Sequence, residues 1–160
     1  MEARELSLDD RAWAERLVSE RFASTRIVSR GVLHDTRRLP GLIAEREGTR
    51  VGLLQYRVVG ERLEVVVLIA LSPREGVGRF LLRAVESIAR AHGCRRLWLI
   101  TTNDNRAALS FYPAVGWRQA GVHRGAMRES RSLKPEIPEF ASDGIPIEDE
   151  IEFELLLEAE

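Results

Sequence analysis

Five consecutive residues, Val65-Val66-Val67-Leu68-Ile69, give an extended segment no polar face. A run of this kind has to be covered on both sides, so it reads as a central strand of a layered sheet. A Gly-bearing turn follows it. Val77, Phe80, Leu81, Ala84, Val85, Ile88 and Ala89 then recur at the spacing of one helix face, and Gly93 stands where a helix ends. Leu97-Trp98-Leu99-Ile100 is a second buried strand. Strand, helix and strand in this order require a sheet with at least one helical layer against it.

The flanking sequence extends that sheet. Ser7 followed by Asp10 predicts the cap of a first helix, with Trp13, Leu17, Val18 and Phe22 on its apolar side. Residues 24–40 carry no clear period. Leu42–Glu45, Val51–Val59 and Leu63–Leu71 have β character, separated by Gly48 and by Gly60-Glu61, as hairpin turns require. Asp104 or Asn103 is the expected cap of a short helix through Tyr112, which Pro113 helps to end. Trp117–Val122 reads as a strand. Residues 123–144 read as a long connection with one helix over Ala126–Leu133. Ile151, Phe153, Leu155 and Leu157 alternate with Glu150, Glu152 and Glu154, the pattern of a last strand with a solvated glutamate face.

Composition excludes several functions. At 160 residues and 44% apolar content the chain is one domain with one proper core. A net charge of −1 argues against a general nucleic-acid binder. No run approaches the length of a membrane-spanning helix, and the amino-terminal MEARELSLDD lacks the apolar stretch of a secretion signal. One cysteine, Cys94, excludes an internal disulfide framework, and the three histidines are not spaced as a metal site. The expectation is a cytoplasmic protein with no metal, no nucleic-acid partner and no membrane. The charge is unevenly spread: residues 71–134 carry 12 basic and 4 acidic side chains, whereas 135–160 carry 10 acidic and no basic ones. The middle block suits a small anionic ligand, and the acidic tail hints at a cationic one.

Chemistry concentrates after the central strand. In Ser72-Pro73-Arg74-Glu75-Gly76-Val77-Gly78-Arg79, glycines let backbone approach a ligand, and the first amides of the following helix point outward unpaired. Leu81 occupies the place of the third glycine of a dinucleotide fingerprint, and no Gly-Lys-Ser/Thr follows as a P-loop needs. Asn105-x-x-Ala108-x-x-Phe111-Tyr112-x-x-x-Gly116-Trp117 comes directly after the next strand. Together, over roughly residues 40–122, these segments resemble the GNAT superfamily of acetyl-CoA-dependent N-acetyltransferases.

The resemblance implies an α/β (α+β) fold in a single domain over 1–160. Its central sheet would be mixed, mostly antiparallel and flanked by helices on both faces, with a cofactor core at about 62–122. Backbone amides from Gly76, Val77, Gly78, Arg79 and Phe80 would hold the CoA pyrophosphate. Main-chain groups of Ile69, Ala70 and Leu71 would pair with the pantetheine arm, and Asn105 would contact the pantetheine or thioester end. Tyr112 would be the general acid toward the CoA sulfur and Glu64 the general base. Pro73 stands where the family usually has Arg or Gln, with Arg74 as the substitute, and Pro113 directly after Tyr112 is a further departure. The implied activity is acetyl transfer to a small-molecule or peptide amine.

Each of these residues also has an ordinary reading. Tyr112 could pack in the core, Glu64 could be a sheet carboxylate on the side of Val66 and Leu68, and Asn105 could be a helix-start residue. Cys94 reads as packing. His92 fits a helix end, and His34 and His123 read as structural or surface groups near the acceptor side. Arg124–Pro138 is the segment expected to shape acceptor specificity. Rival functions are a non-catalytic acyl-CoA-binding sensor and an interaction module. An exposed strand edge would allow a homodimer.

Overall fold

The structure is a computed structural model that describes residues 1–158; the expected domain runs two residues further, outside the described residues. The chain opens with a short strand, β1 (Glu2–Glu5), which its polar sequence EARE does not signal. Ser7 then starts a 3-10 turn leading into α1 (Arg11–Phe22). Ser7 N–H and its hydroxyl both donate to Asp10 Oδ2, at 2.8 Å each. Asp10, 1% exposed, also receives Arg4 at 2.6 Å and Arg50 at 3.1 Å. The Arg4 bonds in particular hold its carboxyl well below the usual range.

Residues 24–40 form a separate hairpin of β2 (Arg26–Ser29) and β3 (Val32–Asp35). Its two turn residues, Arg30 (φ 47°) and Gly31 (φ 74°), are both left-handed, as the twist of a tight hairpin demands. The three predicted β stretches appear as β4 (Gly41–Arg46), β5 (Thr49–Val59) and β6 (Arg62–Ala70). There follow α2 (Val77–Ala91), β7 (Arg96–Thr102), α3 (Arg106–Ala114), β8 (Arg118–His123), α4 (Ala126–Leu133) and β9 (Glu150–Leu156). The sheet runs β1-β4-β5-β6-β7-β9-β8. Among the described residues every neighbouring pair in it is antiparallel except β6 with β7.

One side of the sheet packs Leu54, Leu63, Val65, Leu97, Leu99 and Phe153 against Leu81 and Val85 of α2. The other packs Ile43, Leu53, Val67 and Ile69 against Ala14 and Val18 of α1. Fully burying each large aliphatic contributes roughly 1.5–3 kcal/mol. The first turn of α2 presses directly on β5: a Cβ on Gly52 would lie 2.5 Å from Val77 Cγ1.

Two expectations change here. Alternation along β6 is interrupted by a bulge, because Gln55 faces Val67 while Tyr56 faces Val65, leaving Val66 without a partner on β5. Leu63 and Val65 therefore face α2, while Val67 and Ile69 face α1. Glu64 does not share a side with Leu68; it lies on the α1 and hairpin side with Val66. The second correction concerns β9, which lies between β7 and β8 and has no solvated glutamate face. Glu150 and Glu154 are 1% and 7% exposed. Arg96 bonds both Glu152 and Glu154, Arg118 reaches Glu154 at 2.6 Å, and His123 reaches Glu152 at 3.0 Å. Part of the basic middle block is thus neutralised by the acidic tail across this end of the sheet.

Candidate functional site

The parallel pairing of β6 with β7 covers Arg62 with Arg96, Leu63 with Leu97 and Glu64 with Trp98, and then stops. Beyond that point the strands part, and a cleft of about 600 Å³ opens between Val65–Leu68 on one side and Leu99–Thr102 on the other. Leu71 N–H donates to Val51 O at 2.8 Å, toward β5. By antiparallel alternation Ile69 turns its main chain the same way, while Leu68 and Ala70 turn theirs toward the cleft. Of the three main-chain partners expected for an extended ligand, Ala70 has the right orientation, and Leu68 joins it.

The start of α2 follows the end of β6 after a six-residue turn. Gly76, at φ 80°, is the residue before the helix, and a Cβ there would meet nothing within 4 Å, so the space before the helix start is open. Phe80 N–H is already donated to Gly76 O at 3.0 Å, which leaves the amides of Val77, Gly78 and Arg79 ahead of the helical ladder. Val77 is buried against the sheet, and Gly78 lies under the Phe111 ring, whose Cζ would be 3.0 Å from an added Cβ. Arg74 and Arg79 are exposed beside them.

Across the cleft, the cap of α3 is Asn105 and not the expected Asn103 or Asp104. Its Oδ1 accepts Ala108 N–H at 3.1 Å, and its Nδ2 donates to Thr101 Oγ1 at 3.2 Å. Asn103 instead accepts the amides of Glu148 and Asp149 and so fastens the approach to β9. Tyr112 lines the cleft, 8% exposed, its ring 5.2 Å from Phe111, 5.4 Å from Phe153 and 5.9 Å from Trp117. Burial alone pushes its phenol well above the ordinary range, so it stays protonated. Pro113 sits within α3 without turning Tyr112 away from the cleft.

Glu64 lies just below the point of divergence, in the wall of a smaller cavity of about 150 Å³ that it shares with Ser29, Arg57 and Trp98. It does not line the cleft that Tyr112 faces. Ser29 Oγ donates to Glu64 Oε2 at 2.5 Å. Burial raises the Glu64 carboxyl to about 7, with the Ser29 bond opposing. His34, far from a surface group, is buried beside them; burial, then Arg57, lowers its imidazole to about 4. Its Nε2 is 3.6 Å from Glu64 Oε1, yet this is no ion pair, since the imidazole is held neutral.

Sequence reasoning missed Ser29, in a stretch without period, and Glu150, read as solvent-facing. Glu150 lines the cleft with its oxygens held by Arg30 N–H at 3.1 Å and by the Arg30 guanidinium at 2.9 Å. The segment expected to shape acceptor binding does reach the cleft through Lys134, Glu136, Ile137 and Pro138. Lys134 anchors it by donating to Phe22 O at 2.7 Å and Arg26 O at 2.6 Å, the first a carboxy-terminal carbonyl of α1.

A model of the acetyltransferase (GNAT) family matches residues 4–117. The uncharacterized protein YdhI of Bacillus subtilis (strain 168) is 40% identical over 121 residues, covering 75% of this chain and 76% of that one. Among solved structures, an IAA acetyltransferase from Bacillus cereus ATCC 14579 superposes with a TM-score of 0.72 at 18% identity, covering 98% of this chain and 99% of that one. A Bacillus subtilis acetyltransferase in complex with CoA superposes at 0.67 and 17% identity, covering 98% and 97%. The family model over residues 4–117 and the relative at 40% identity show that the chain belongs to the acetyltransferase (GNAT) family.

Proposed function

We propose that this protein transfers the acetyl group of acetyl-CoA to a primary amine by direct attack, with Tyr112 as acid and Glu64 as base. The observation that carries the reading is the cleft where β6 and β7 part, bordered by Tyr112 and Asn105. The amides of Val77, Gly78 and Arg79 are suited to the pyrophosphate, with Arg74 and Arg79 adding charge. Leu68 and Ala70 offer main-chain groups to the pantetheine amides, and Asn105 stands at the α3 side of the same path. The Bacillus subtilis structure with CoA supports this use of the fold.

The amine nitrogen attacks the thioester carbon, a C–N bond forms and the C–S bond breaks. The proton lost by nitrogen passes to Glu64 through water, because Glu64 is set below the cleft. A carboxyl near 7 is matched to that task at neutral pH. The Tyr112 phenol, held protonated, donates to the leaving sulfur. Phe22, Ile27, Val28 and Met127 make the acceptor side largely apolar, with Glu20 and Glu136 at the rim. That lining supports an amine carried on an apolar body.

The test is turnover of acetyl-CoA with an amine panel, wild type against Tyr112→Phe. The variant is expected to bind acetyl-CoA normally and to lose about 100-fold in kcat. An undiminished rate removes Tyr112 as acid, and a folded wild type that does not bind acetyl-CoA at millimolar concentration removes the whole reading.

A further inference from the structure

The β2–β3 hairpin brings its Ser29 and His34 onto Glu64 of the distant β6, and all three side chains are buried. Ser29 Oγ is 2.5 Å from Glu64 Oε2 and 2.9 Å from His34 Nε2. A hydroxyl carries one hydrogen. When Glu64 is ionised that hydrogen goes to Oε2, and the 2.9 Å contact is then made by a hydrogen on His34 Nε2. In that state the arrangement is a directed chain, from imidazole N–H to hydroxyl to carboxylate.

We propose that Ser29 and His34 are positioning residues for Glu64, the hydroxyl and the Nε2–H of a neutral imidazole holding the carboxylate ionised and fixed in direction. This rests on Glu64 serving as the base in the function proposed above. The surrounding charges agree with it. Burial drives Glu64 toward its neutral form, and the Ser29 bond is the strongest effect against that; Arg57 of β5 acts in the same sense, while Glu150 and Glu152 of β9 act against ionisation. Arg30, at the hairpin turn, is committed to Glu150, and Arg62 lines the small cavity with Trp98. His34 cannot compete for the proton at neutral pH, because burial and Arg57 keep it neutral.

The experiment uses the full chain and two readouts. The first is the pH profile of kcat/KM with the best amine of the panel. The second is a ¹³C titration of glutamate-labelled protein, with the Glu64 signal assigned by its loss in Glu64→Gln. Ser29→Ala is expected to raise the Glu64 midpoint and the acid limb of the profile by about one pH unit, a roughly tenfold loss of kcat/KM at pH 6. The KM for acetyl-CoA should stay within twofold, and Ser29→Thr should restore the profile. His34→Leu should behave as Ser29→Ala does. His34→Gln keeps an N–H near the position of Nε2 but cannot exchange a proton, and it should recover most of what leucine loses.

Unmoved midpoints in Ser29→Ala and His34→Leu overturn the proposal. So does a glutamine variant as impaired as leucine with Glu64 titrating normally, since the imidazole would then be transferring the proton itself. Midpoints that move as expected in a protein that turns over no amine support the hydrogen-bond assignment and refute the acetyltransferase reading.

Discussion

Replacing Glu64 by glutamine removes a buried group whose proton affinity changes on folding. In the native chain the carboxyl is raised to about 7 from an ordinary 4.5. Between those values the folded protein holds a proton that the unfolded chain has released, so stability falls as pH rises through that window. From 4.5 to about 7 is about 2.5 units, and at 1.36 kcal/mol per unit the loss is about 3 kcal/mol, complete by about pH 8. Glutamine is nearly the same shape, still accepts the Ser29 hydroxyl and has nothing to titrate. Subtracting the two unfolding free energies therefore isolates the carboxyl. His34, lowered to about 4, gives the opposite slope below its ordinary 6.5, but does so in both proteins and cancels. Urea unfolding followed by tryptophan fluorescence between pH 4.5 and 8.5 is the assay. Wild type should lose about 3 kcal/mol relative to Glu64→Gln across that range. Parallel stability curves would refute the reasoning, because a carboxyl that titrates normally is not desolvated beneath the hairpin.

Two further outcomes follow from packing and charge. Gly52→Ala places a methyl group 2.5 Å from Val77 Cγ1 and 3.0 Å from Leu81 Cδ1, so it should cost about 1–3 kcal/mol in urea unfolding and weaken acetyl-CoA binding by calorimetry as the start of α2 shifts. Wild-type stability would mean that the helix does not bear on β5. Asp10→Asn takes the charge partner from Arg4 and Arg50 and should cost about 3 kcal/mol at pH 7. Because the native carboxyl is depressed, this difference should be fully present above about pH 4 and shrink as pH falls below it, as acid titration of the two proteins will check.

What the sequence revealed was local. The β6–turn–α2 unit, the motif at 105–117 and the helix over 126–133 each announce themselves through spacing within one segment, and the structure places them where expected. Strand β1 stayed hidden because EARE is an exposed edge segment that buries no side of its own. The β2–β3 hairpin escaped because its left-handed turn is Arg30-Gly31, without the asparagine or aspartate that usually marks such a turn; the short apolar pairs on either side of Gly31 were the available signal. An all-apolar run cannot record a slip of one residue, so the bulge at Val66, and with it the side on which Glu64 lies, was invisible. The glutamates of β9 were misread for a related reason. Their burial depends on arginines of β7 and β8, which the linear pattern does not bring near them.

Strand β8 reaches the sheet only by way of β9, which the ribosome makes much later. The β7-β9-β8 end of the sheet therefore cannot zip up in the order of synthesis. A nascent chain halted before residue 150 leaves the outer edge of β7 bare, with Arg96 still short of Glu152 and Glu154. Non-local closure of this kind slows folding, and opposite charge on the late strand and its slot gives it a reason to land there and not on a neighbouring polypeptide. The wall bearing Ile100 and Tyr112 gains its β9 neighbours, Glu152 and Phe153, only with that last insertion.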